Sequence, residues 1–85
     1  MFEYTPSGVC SRKILFDIDE NNKIHNVSFI GGCNGNLKAI SKLVEGQDAS
    51  EIEHILEGNL CGARDTSCAD QFSKALKRAQ TEIKK

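Results

Sequence analysis

Four cysteines, Cys10, Cys33, Cys61 and Cys68, carry the most specific chemistry in this 85-residue chain. A thiolate serves as nucleophile, redox centre or soft metal ligand, and each role depends on surroundings that favour the deprotonated sulfur. Cys33 follows Gly31-Gly32 at the head of a helical pattern, Cys61 precedes Gly62, and Cys68 follows Asp65-Thr66-Ser67, three residue types that cap helices well. Unpaired N–H groups and the positive dipole end at a helix start stabilise thiolate, which makes Cys68 the leading thiolate candidate. Four sulfurs are enough for a tetrahedral zinc site with bonds of about 2.3 Å. Their wide spacing is not that of a C-x-x-C knuckle, so tertiary folding must gather them. Two other roles stay open. Cys61 and Cys68 can cycle as a dithiol that passes electrons to a partner, and any cysteine can be a small apolar filler, a reading that suits Cys10 best.

Other residues offer less. His54, between Glu53 and Ile55, and His25 read as solvated side chains. Asp17 and Asp19 share one side of a strand, where solvent exposure is the ordinary explanation. Gly31 to Asn36 can form a backbone nest for phosphate before a helix, but it fits neither the Walker pattern nor the dinucleotide fingerprint. The basic residues Lys74, Lys77, Arg78, Lys84 and Lys85 suit the negative end of a last helix better than a nucleic-acid surface.

The elements that must position the cysteines are set by periodicity. Ile14, Phe16 and Ile18 alternate through Lys13 to Asp19, and Ile24 to Ile30 resumes a β-branched run after Glu20-Asn21-Asn22-Lys23, so the two form a hairpin. An edge strand near Phe2 to Tyr4 can join them. Asn34 or Asn36 can cap a helix that buries Leu37, Ile40, Leu43 and Val44 and stops at Gly46. Ser50 and Glu53 have capping-box spacing for a short helix with Ile52, Ile55 and Leu56 inside, closed by Gly58. A last helix from about Cys68 carries Phe72, Ala75, Leu76, Ala79 and Ile83 on one face. The expected fold is α+β over residues 1–85 as a single domain, a small antiparallel sheet of two to three strands covered on one face by about three helices.

At this size a core buries only about 60–65% of the unfolded chain's surface, so support from a metal, a disulfide or a partner is chemically reasonable. The start, Phe2-Glu3-Tyr4-Thr5-Pro6-Ser7, lacks the basic residues and apolar run of a secretory leader. A cytoplasmic location is therefore expected, where thiols stay reduced and favour metal or redox chemistry. Eleven basic and twelve acidic residues give a net charge of −1, and no apolar run approaches a membrane span.

Thr66-Ser67-Cys68-Ala69-Asp70-Gln71, together with Gly8-Val9-Cys10, Phe29 to Asn36, Leu43-Val44-Glu45-Gly46 and Cys61-Gly62, resembles in order the TSCPD domain and its stand-alone four-cysteine branch. The family takes its name from a Thr-Ser-Cys-Pro-Asp motif. Ala69 stands where proline is usual, a first-turn position where proline is favoured but replaceable. The resemblance implies a link to ribonucleotide reduction, because such domains also end adenosylcobalamin-dependent ribonucleotide reductases. A chain this short lacks the reductase barrel, radical cysteines and cobalamin site. The resemblance thus implies an accessory role in DNA biosynthesis beside a ribonucleoside-diphosphate reductase subunit, with a homodimer also open. The order of elements more loosely resembles IscU/NifU-type iron–sulfur scaffolds, in which Cys33 with Cys61 or Cys68 would take comparable parts. The expectation is a zinc or iron–sulfur site on Cys10, Cys33, Cys61 and Cys68. The alternatives are the dithiol, a scaffold and a plain interaction domain.

Overall fold

Alternation along residues 11–18 places Ile14 and Phe16 wholly inside, and this stretch forms the central strand of the sheet. The computed structural model describes residues 2–6, 8–9, 11–31, 34–59 and 66–83, without the side chains of 34–36. Strands β1 (Phe2–Tyr4), β2 (Ser11–Ile18) and β3 (Ile24–Gly31) form an antiparallel sheet in that order. Helices α1 (Asn34–Val44), α2 (Ala49–Leu56) and α3 (Cys68–Ile83) come after them, giving the expected α+β arrangement. Cys10, Cys33, Cys61, Lys84 and Lys85 lie outside the described residues.

The β2–β3 turn is built by Asp19, whose Oδ1 accepts from the N–H groups of Asn21 and Lys23 at 2.9 Å each. Asn22 takes φ 62° at its tip, a left-handed conformation that asparagine tolerates. Further along β3, Asn26 has φ 56° where the register shifts between Leu15 and Asp17. The irregularity explains why Ile24, Val27 and Phe29 all reach the core although their spacing is not strictly two.

The core lies between one face of the sheet and α3, whose Phe72, Ala75, Leu76 and Ala79 are buried as the helical period requires. Phe72 meets the edges of Phe16 and Phe29 at ring distances of 5.6 and 5.7 Å, within the range of favourable aromatic pairs. Helix α1 packs on β3, and α2 on α3. Gly46 and Gly58 follow α1 and α2 with φ 76° and 78°, the stops expected from sequence.

Three expectations need correction. The N-cap of α2 is Asp48, which accepts from Glu51 N at 3.0 Å; Ser50 lies inside the helix and donates to Gln80 Oε1 at 2.6 Å. The earlier start results from a bridge between Lys23 and Asp48, which fixes the chain just ahead of Ala49. Leu43, Ile55 and Ile83 are exposed rather than buried, because each helix presents a narrower stripe to the core than its apolar residues outline. Asp17 and Asp19 are not simply solvated, since Asp19 holds the hairpin turn and Asp17 accepts from Asn26 Nδ2 at 3.3 Å.

Candidate functional site

Helix α3 begins with a cap that also serves as a fastening point. Ser67 Oγ accepts from Asp70 N at 3.0 Å while Gln71 N donates to Ser67 O at 2.8 Å, the usual N-cap pair that satisfies two backbone groups at a helix start. The same Ser67 hydroxyl donates to the carbonyl of Asn59, and Asn59 Nδ2 approaches it at 3.4 Å. Three residues on, the buried Asp70 accepts from Gly58 N at 2.8 Å through Oδ1 and from Thr66 Oγ1 at 2.5 Å through Oδ2. The Thr66 hydroxyl, helped by the Gly58 N–H and Lys74, outweighs burial and holds the Asp70 carboxyl below its usual range. Gln71 closes the group, donating to Thr66 Oγ1 at 3.0 Å and accepting from the Tyr4 hydroxyl at 3.5 Å.

Thr66, Ser67 and Asp70 therefore tie Gly58 and Asn59 to the start of α3, which carries Cys68. Cys68 is half-buried, and its Sγ lies 3.3 Å from Oγ of the buried Ser11, the first residue of β2. Ser11 in turn pairs with Gly31 at the end of β3. Gly8 approaches from the same side: a Cβ there would sit 3.3 Å from Thr66 Cγ2, and its φ is 72°.

Cys10 directly precedes Ser11, Cys33 follows Gly31 by two residues, and Cys61 follows Asn59 by two. Ser11, Gly31, Asn59 and Cys68 thus form one connected group at one end of the sheet. The cysteines Cys10, Cys33 and Cys61 themselves lie outside the described residues, as does part of the glycine-rich stretch considered for phosphate. Among the described residues, no three histidine, cysteine, aspartate or glutamate side chains are grouped to hold a metal.

His54 is exposed on α2, as expected. His25 differs from its solvated reading, because Nδ1 meets Glu45 Oε2 at 2.6 Å and Nε2 meets Asp19 Oδ2 at 2.7 Å. Two carboxylate acceptors, one on each ring nitrogen, require the imidazolium as double donor. The bond that His25 donates to Asp19, then the one it donates to Glu45, raises its pKa above the ordinary value. Glu45 also accepts from Asn26 N at 2.9 Å, so the cluster joins the end of α1 to the hairpin.

Sequence reasoning identifies Cys68 and the helix cap but misses the roles of Ser11, Asp70, Gln71 and Tyr4. Ser67 and Asp70 stand at N-cap and N3 spacing, a signal that could have singled out the carboxylate. Ser11 and Tyr4 meet α3 only through contacts spanning 57 and 67 residues, which no local pattern encodes.

A three-stranded sheet backed by helices, with a thiol at the start of the last helix and a polar clasp around it, defines a small α+β thiol-bearing domain. The chain belongs to the TSCPD domain family, whose pattern it matches over residues 2–80. No curated protein and no solved structure matches it. Among the described residues no helix is long and apolar enough to cross a membrane.

Proposed function

We propose that this chain is a metal-binding accessory domain that holds zinc or an iron–sulfur cluster on Cys10, Cys33, Cys61 and Cys68. The observation that carries the reading is the connected group of Ser11, Gly31, Asn59 and Cys68, each a cysteine or within two residues of one. Hydrogen bonds and strand pairing thus bring together neighbours of cysteines that are up to 58 positions apart, counting from Cys10 to Cys68 (68 − 10). Soft thiolate donors suit zinc and iron–sulfur centres over magnesium or calcium. Membership of the TSCPD family supports a partner role beside a ribonucleoside-diphosphate reductase.

Elemental analysis of protein purified without a metal affinity column tests the reading, combined with a count of reactive thiols in denaturant before and after reduction. Stoichiometric zinc or iron is the expected result. Replacing any one ligand with serine should then lower metal content and stability together, because binding free energy is folding free energy in such domains. Metal-free protein in which two thiols appear only after reduction would replace this reading with the Cys61–Cys68 dithiol. Four free thiols and no metal would leave an interaction domain.

A further inference from the structure

The sheet has an open edge beside a basic helix. Strand β3 pairs with β2 on one side only. At its start the other side is covered: Ile24 N donates to Gln47 O at 2.9 Å, Gly46 N donates to Ile24 O at 2.6 Å, and Asn26 N is taken by Glu45. From Val27 to Ile30 no such bond covers the outer edge among the described residues. Unpaired N–H and C=O groups on an edge strand are a template for another strand, and proteins usually block them.

A groove of about 490 Å³ runs between this edge and α1, with Val27, Ser28 and Phe29 on the strand side and Leu37, Lys38 and Lys42 on the helix side. Its volume falls within the roughly 300–1,000 Å³ of ordinary ligand sites. Leu37 is buried and Phe29 half-buried, giving an apolar floor, whereas Lys38 and Lys42 are exposed one helical turn apart on the rim. Neither lysine joins an ion pair among the described residues.

We infer that this groove takes an extended acidic segment of a partner protein, which adds a fourth strand along Val27 to Ile30 and sets its carboxylates against Lys38 and Lys42. Main-chain bonds to the open edge supply affinity, and alternate side chains divide between the apolar floor and the lysine rim. Charge selects the partner: an acidic strand neutralises the rim, and a basic one is repelled. A second copy fits less well, because pairing two β3 edges would bring two pairs of lysines to one seam, and the groove's own lining holds no carboxylate to answer them. The inference is independent of the cysteine site and stands whether or not metal binds.

The test uses the full chain and two libraries of eight-residue peptides, both alternating charged residues with valine, isoleucine or threonine. One carries aspartate and glutamate, the other lysine. Acidic peptides should bind and basic ones should not, with amide shifts confined to Val27–Ile30 and the facing turns of α1. Lys38→Glu with Lys42→Glu should weaken the best peptide about tenfold or more, from two reversed charge contacts, while leaving the far-ultraviolet circular dichroism unchanged. N-methylation of that peptide's backbone at edge-facing positions should abolish binding. The inference is overturned if no acidic peptide binds more tightly than about 1 mM. It is equally overturned if the double variant or the N-methylated peptide binds as well as the original, or if sedimentation shows that the chain pairs with itself through this edge.

Discussion

Removing the Asp70 carboxylate should unfasten Gly58, just after α2, from the helix that carries Cys68. Asp70→Ala strands the Gly58 N–H and the Thr66 hydroxyl, both now bonded to a buried anion. A hydrogen bond to a charged group contributes about 1.5–3 kcal/mol, and two that share one carboxylate add less than fully. The ion pair with the exposed Lys74 at 3.6 Å adds little. The expected loss is about 3 kcal/mol, a large share of the roughly 4–13 kcal/mol that a chain of this length carries. Asp70→Asn keeps an acceptor for Gly58 but offers Thr66 a donor, and Thr66 already accepts from Gln71, so about 1 kcal/mol should go. Urea unfolding with reductant and chelator present, so that bound metal contributes nothing, should move the midpoint by roughly 3 M for alanine and 1 M for asparagine. An alanine variant within about 0.5 kcal/mol of wild type, or an asparagine variant as unstable as the alanine one, would refute the fastening role of this carboxylate.

The His25 cluster should make stability depend on pH. A raised histidine pKa contributes stability fully present below the unfolded value of 6.5 and lost as pH rises through the folded value. The carboxyls of Asp19 and Glu45, lowered first by the backbone N–H of Lys23 and of Asn26 respectively and then by His25, contribute above their unfolded 3.8 and 4.5, and that contribution goes as pH falls through their folded values. The cluster should therefore be strongest between about pH 4.5 and 6.5, and the pH slope of unfolding above 6.5 should flatten in His25→Gln. Proton resonance titration that places the His25 pKa at or below 6.5 would contradict the geometry. Gly8→Ala should cost about 1–2 kcal/mol for its left-handed backbone, plus the push of a new Cβ against Thr66. Gly58→Ala, with a similar φ and open space around it, measures the backbone part alone; equal midpoints would rule out the contact with Thr66.

The hairpin, the three helices and both glycine stops are legible in the sequence because each rests on local periodicity or on a backbone conformation glycine adopts easily. Cys68 at the start of α3 is legible for the same reason, from the cap residues before it. The start of α2 is not, since Asp48 and Ser50 both cap well and a strand-like bridge to Lys23 decides between them. Nor is the His25 cluster, whose Glu45 lies 20 residues away and approaches only when α1 folds back on β3. Leu43 and Ile55 show the limit of hydrophobic patterning: an apolar residue at helical spacing is buried only where another element lies over it. Thr66, Ser67 and Asp70 read from sequence as a cap and a family motif. Their work in holding Gly58 and Asn59 needs the tertiary structure.

The contact between Ser11 and Cys68 has a consequence for the order of events during synthesis. The hairpin closes over a few residues and can form as soon as β3 is made, whereas this contact closes a loop of 57 residues. Translation delivers Cys10 and Cys33 long before Cys68, and the capped start of α3 needs its following turns to become helical. The end of the sheet where the cysteine neighbours meet is therefore completed only after α3 has left the ribosome. During that interval the thiolate of Cys10 or Cys33 can attack a small disulfide in the surrounding medium, forming a mixed disulfide and releasing the other half as a thiol, in competition with folding.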